Sequence, residues 1–108
     1  MPNILWLCTD QQRYDTIGAL NNPHIHTPAI DRLVHEGVAF THAFCQSPIC
    51  TPSRASFLTG MYPSAIHACT NGNSHWAGAA PLVTNLLAGA CYDGGLAGKF
   101  HLSGGADR

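Results

Sequence analysis

Cys50-Thr51-Pro52-Ser53-Arg54-Ala55-Ser56-Phe57-Leu58-Thr59-Gly60 reads as one short helix with a reactive side chain at its start. Pro52 suits the first helical position, because the amide hydrogen it lacks has no intrahelical partner there, and Gly60 suits the stop. The unsatisfied backbone donors of that first turn, with Arg54 one turn along, focus positive potential near the Cys50 side chain. The pattern describes an anion-binding position with a thiol at its centre. Taken by itself, a cysteine at a helix start reads first as a buried apolar residue or an activated thiol.

The chain around this stretch has 108 residues, room for one domain at most. It is 45% hydrophobic and 10% charged, against about 25% charged in an ordinary domain. So small a charged fraction suits the interior of something larger, since small domains carry much surface per unit volume. A net charge of −1 gives no electrostatic footing for nucleic acid or an anionic membrane. No apolar run approaches the ~20 residues of a membrane span. Met1-Pro2-Asn3 runs into the apolar segment 4–8 without a basic leader or a cleavage site. The five cysteines are odd in number and lack Cys-x-x-Cys spacing, which argues against a disulfide framework and against a zinc site. The expectation is a cytoplasmic chain with reduced thiols, in which Cys8, Cys45, Cys69 and Cys91 are small core fillers. Of the seven histidines, His24 and His26 could chelate if extended, but in a proline-bounded loop they read as surface polarity, and His35, His42 and His67 have no metal-ligand spacing that stands out.

Hydrophobic pattern organises the rest. Residues 4–8 (Ile4-Leu5-Trp6-Leu7-Cys8) form a continuous apolar run, the mark of a strand buried on both faces of a largely parallel sheet. Residues 18–28 read as a loop, followed by a helix over 28–35 capped by Thr27 and stopped by Gly37. Residues 38–44 alternate apolar and polar, which predicts a second strand leading to the Cys50 helix. Residues 61–78 read as an irregular loop, 81–90 as a helix stopping near Gly89, and 92–100 as a glycine-rich strand. The order β-α-β-α-α-β predicts an α/β fold.

Two further groups of polar residues stand at the ends of predicted strands. Asp10 and Gln11 follow the first strand, where open α/β sheets bind ligands, and they are the oxygen donors that hard divalent cations accept. On that segment alone, a turn or helix cap around Asp10 is the leading reading. Lys99 and His101 lie in Gly98-Lys99-Phe100-His101-Leu102, and alternation along a strand would turn both to one side. A lysine is a point-charge anion binder and a histidine can move a proton, although an isolated Lys-x-His reads first as a solvated strand end. Asn71 and His75 share a loop in which Asn71-Gly72 is an ordinary turn signal.

Cys50, Pro52, Ser53, Arg54, Leu58, Thr59 and Gly60 together resemble the sulfatase signature, Cys-x-Pro-Ser-Arg with a Leu-Thr-Gly ending. Gly98-Lys99-Phe100-His101-Leu102 is similar to that family's Gly-Lys-x-His-Leu element. The resemblance covers only the family's N-terminal part. It implies the N-terminal segment of a sulfatase catalytic domain over residues 1–108, truncated from an alkaline-phosphatase-like fold with a mostly parallel sheet flanked by helices. It implies a sulfuric ester hydrolase in which Cys50 is converted to formylglycine by a formylglycine-generating or anaerobic sulfatase-maturing enzyme. By the same resemblance, Cys50, Arg54, Lys99 and His101 are catalytic, while Lys99, His101 and Asn71 also contact a small-molecule sulfate ester. Asp10, Gln11 and residue 50 would hold a divalent metal, Ca²⁺ first and Mg²⁺ or Mn²⁺ as alternatives.

Gln11 departs from the commoner Asp-Asp of the family, which removes a negative charge and keeps a phosphonate monoester or phosphodiester hydrolase as an alternative. The family's second pair of metal ligands, another histidine and another lysine fall in parts that this sequence does not match. The expectation is therefore a chain with little or no hydrolase activity alone, with a non-catalytic α/β fragment as the reading from a different class, and with a homo-oligomer as one way to cover a sheet that the chain does not cover itself.

Overall fold

The computed structural model describes residues 1–72 and 80–102. The chain divides into two compact units, Met1–Ala43 and Phe44–Arg108.

In the first unit a 3₁₀ helix, Gly18–Leu20, packs on helix α1, Pro28–Glu36. Gly37 ends α1 by returning its N–H to the Leu33 carbonyl at 3.0 Å, as the sequence predicts. Thr27 does not cap α1 with its side chain. Its hydroxyl instead accepts the Gly18 N–H at 2.8 Å and donates to Asp31 Oδ1 at 2.8 Å, while Asp31 Oδ1 also accepts the Ala19 N–H at 2.8 Å. Asp31 thus joins the N-cap residue of its own helix to a backbone donor of the neighbouring 3₁₀ helix. The backbone bond from Ala19, then the Thr27 hydroxyl, holds its carboxyl below the usual carboxylate range. Gly18 suits this approach, since a Cβ there would lie 3.0 Å from Asp31 Oδ2 and would press the carboxylate aside.

The expected sheet is not seen: among the described residues no segment pairs as a strand. Residues 4–8 are without regular structure, a turn at Thr41 and His42 breaks 38–44, and 92–100 carries no ladder. The physical reason is the lack of partners. A strand buried on both faces needs neighbours to pair with and layers to cover it, yet Leu5 is 81% exposed, Leu7 73% and Val38 80%. The cysteines expected as core fillers follow suit, with Cys8, Cys45, Cys69 and Cys91 exposed and all five thiols free. His24 and His26, read as surface polarity, are exposed, and so are His35, His42 and His67. Among the described residues no helix is long and apolar enough to cross a membrane.

The second unit is built on α2, Cys50–Thr59, followed by a 3₁₀ helix, Pro63–Ile66, within the expected loop, and by α3, Val83–Gly89. Helix α2 packs against both. Ala55, Ile66, Ala68 and Leu102 form a small core, with Leu58, Ala80 and Leu82 against it. Helix α2 begins at Cys50, two residues before the proline expected to open it. Pro52 is tolerated there because first-turn N–H groups have no intrahelical acceptor. Gly60 ends α2 at φ +70°, with its N–H on the Ser56 carbonyl at 2.8 Å. Helix α3 closes differently from expectation. Cys91, not Gly89, takes the left-handed position at φ +63°, and the Tyr92 N–H reaches back to the Leu87 carbonyl at 3.0 Å.

Candidate active site

Cys50 sits half-buried at the amino end of α2, where the backbone supplies donors and no Ile49 side chain caps them. The Thr51 N–H is taken up from outside the helix, by Asn71 Oδ1 at 2.9 Å. The Ser53 N–H returns to the Ile49 carbonyl at 3.0 Å. Asn71 therefore does two things at once, since the turn it makes with Gly72 at φ +73° also presents its amide oxygen to α2. His75, expected in the same loop, lies outside the described residues.

The segment from Gly98 to Leu102 lies along the same end of α2. Lys99 Nζ stands 3.8 Å from Cys50 Sγ. Arg54 Nη1 donates to the Lys99 carbonyl at 2.7 Å, and Thr51 Oγ1 donates to the His101 carbonyl at 3.0 Å. Leu102 then enters the core beside Ala55. This is not strand geometry. Gly98 has φ +107° and His101 φ +50°, so the alternation argument for Lys99 and His101 does not apply. What brings the segment to Cys50 is the pair of side-chain tethers. A left-handed non-glycine residue costs roughly 1–2 kcal/mol, and it persists where surrounding bonds over-determine it.

The signature residues thus meet for a reason visible in the helix itself. Positions 51 and 54 are three apart and share a face, and both side chains are buried. Of the expected site residues, the structure brings together Cys50, Arg54, Asn71, Lys99 and His101. Arg54 is the one whose observed bond differs in kind from expectation, because its guanidinium grips backbone. Thr51, which sequence reasoning passed over, makes two of the bonds that hold the cluster. Its only sequence signal is a hydroxyl beside the thiol.

Asp10 and Gln11 belong to the first unit. Both are exposed, and Gln11 has φ +55°. A carboxylate and an amide oxygen are the donor types Ca²⁺ accepts, but they are two of the roughly six to eight oxygens it takes. Among the described residues no three His, Cys, Asp or Glu side chains gather as a metal site. The donors present fall short of a shell.

The sulfatase family model matches residues 2–106. Steryl-sulfatase of Rattus norvegicus is 39% identical over 111 residues, covering 94% of this chain and 19% of that protein. Arylsulfatase A of Bos taurus is 33% identical over 117 residues, covering 98% of this chain and 22% of that protein. An ulvan-active sulfatase of Formosa agariphila is 48% identical over 62 residues, covering 57% of this chain and 12% of that protein. The chain spans about a fifth of the length of the steryl- and arylsulfatases it matches. No solved structure gives a significant match. With nearly every residue of the chain inside the family match, the chain belongs to the sulfatase family.

Proposed function

We propose that the protein containing this chain hydrolyses sulfuric esters, with residue 50, converted from cysteine to formylglycine, as the nucleophilic position. The observation that carries this reading is the Lys99 ammonium 3.8 Å from Cys50 Sγ at the amino end of α2. An aldehyde hydrate at that position supplies geminal hydroxyls, one to attack sulfur and one to release the sulfate afterwards. The chain's own residues supply charge and placement. Lys99 and the α2 amino end favour an anion at residue 50 and on the transferring group. Arg54 holds Lys99 by its carbonyl, Asn71 keeps the first turn in place, and His101 supplies an imidazole for proton movement at the leaving alcohol. Asp10 and Gln11 offer part of a Ca²⁺ shell, which Mg²⁺ or Mn²⁺ could also use, and further donors must complete it.

The test uses the full-length protein produced together with a formylglycine-generating enzyme. The tryptic peptide 33–54 should carry an aldehyde at position 50, and nitrophenyl sulfate should be hydrolysed at a rate lost in Cys50→Ala. An unmodified thiol in active protein, or an unchanged rate in Cys50→Ala, overturns the reading. Gln11 keeps one competing substrate class open, so a phosphonate monoester is assayed beside the sulfate. Faster turnover of the phosphonate would reassign the substrate while keeping the nucleophile.

A further inference from the structure

We infer that Thr51 is a positioning residue, whose hydroxyl holds the Lys99 ammonium against residue 50. The inference rests on the reading of residue 50 as the reactive position, but its geometry stands by itself. Thr51 is fully buried and follows Cys50 directly. Its two polar groups face different parts of the chain. The N–H goes to Asn71 Oδ1 at 2.9 Å, which fixes the helix end, and the hydroxyl goes to the His101 carbonyl at 3.0 Å.

The second bond is the one that bears on Lys99. The segment 98–102 departs from extended backbone at both ends, with Gly98 at φ +107° and His101 at φ +50°. Its path is fixed by Arg54 at the Lys99 carbonyl, Thr51 at the His101 carbonyl and Leu102 in the core. Removing the hydroxyl leaves the His101 carbonyl without that donor and frees the left-handed turn to relax toward ordinary backbone. A lysine two residues before that turn then moves with it. Thr51 carries no charge and needs no contact with substrate, so its effect on the local charge at residue 50 passes through where the Lys99 ammonium stands.

The experiment reads local charge at residue 50 without requiring catalysis. The full-length protein is produced without a maturing enzyme, so that residue 50 remains a thiol. It is alkylated in parallel with iodoacetate, an anion, and iodoacetamide, its neutral counterpart. Tandem mass spectrometry of the tryptic peptide 33–54 gives the rate ratio at Cys50, with exposed Cys45 in the same peptide as internal reference. Lys99→Met should lower the iodoacetate-to-iodoacetamide ratio at Cys50 roughly fivefold, the size of one close charge pair in a watery setting. Thr51→Val should lower it by several-fold, Thr51→Ser should restore it, and adding Thr51→Val to Lys99→Met should change nothing more. If Thr51→Val does not fold, Thr51→Ala and Thr51→Ser make the same comparison.

A ratio unchanged by loss of the hydroxyl, or a drop that persists in Thr51→Ser, overturns the inference. A second readout uses the matured protein, in which Thr51→Val should reduce kcat for nitrophenyl sulfate and Thr51→Ser should recover it. Failure of the proposed function shows separately, as absence of ester hydrolysis in the matured wild type while the alkylation ratios still respond.

Discussion

At Lys99 one residue contributes twice, through its carbonyl to Arg54 and through its ammonium to Cys50. These contributions separate by substitution. Lys99→Met keeps the carbonyl and removes the charge, so kcat for sulfate ester should fall about 10²–10³-fold, the scale of losing one donor to developing negative charge. Arg54→Lys should not rescue Arg54→Met, because a single ammonium on a flexible stem does not replace a planar guanidinium at a part-buried carbonyl. Both should lose about 1–3 kcal/mol in urea unfolding of the full-length protein, from the carbonyl left unmet. The candidate site was largely legible at this scale. Cys50, Arg54, Lys99, His101 and Asn71 all carry chemical character that a sequence displays. Thr51 was not legible, because its part depends on which carbonyl lies beside it, and that is set by chain about fifty positions away.

Helices α1, α2 and α3 show how far end signals can be read. Gly60 behaves as the sequence predicts, and at φ +70° with nothing within 4 Å its value lies in backbone freedom alone. Gly60→Ala should therefore cost about 1–2 kcal/mol in thermal or urea unfolding. Cys91→Gly should act with the opposite sign, relieving a left-handed non-glycine residue at the end of α3. The Asp31 clasp predicts a pH response. Its carboxyl is held below the usual range by the Ala19 N–H and the Thr27 hydroxyl, so the ionised form is the bonded one. Its contribution is complete above the unfolded carboxylate value and fades as pH falls through the folded one. The Ala19 amide resonance, followed by NMR through an acid titration, should shift with that loss, and Asp31→Asn should abolish the shift. Thr27 reads as a cap and Thr51 carries no signal of its role for one and the same reason. A hydroxyl has several acceptors and donors within reach, and tertiary neighbours choose among them.

For the whole molecule, the helices were legible because their periodicity and stops are local. The sheet was read from apolar runs, and a run records what a segment can bury, not what covers it. Residues 1–108 alone should accordingly bind a hydrophobic dye such as ANS and release no nitrophenol from nitrophenyl sulfate, while the full-length protein should show the reverse. Calcium- and Cys50-dependent turnover by residues 1–108 would refute that expectation. The tethers around residue 50 also carry a consequence in time. The first unit's clasp joins residues 4, 9 and 12 apart, whereas the bonds around residue 50 span 20, 45, 49 and 50. Long loops close late. As the chain emerges, α2 can form before Lys99 exists to meet it, and through that interval residue 50 stands open to whatever enzyme or oxidant reaches it first.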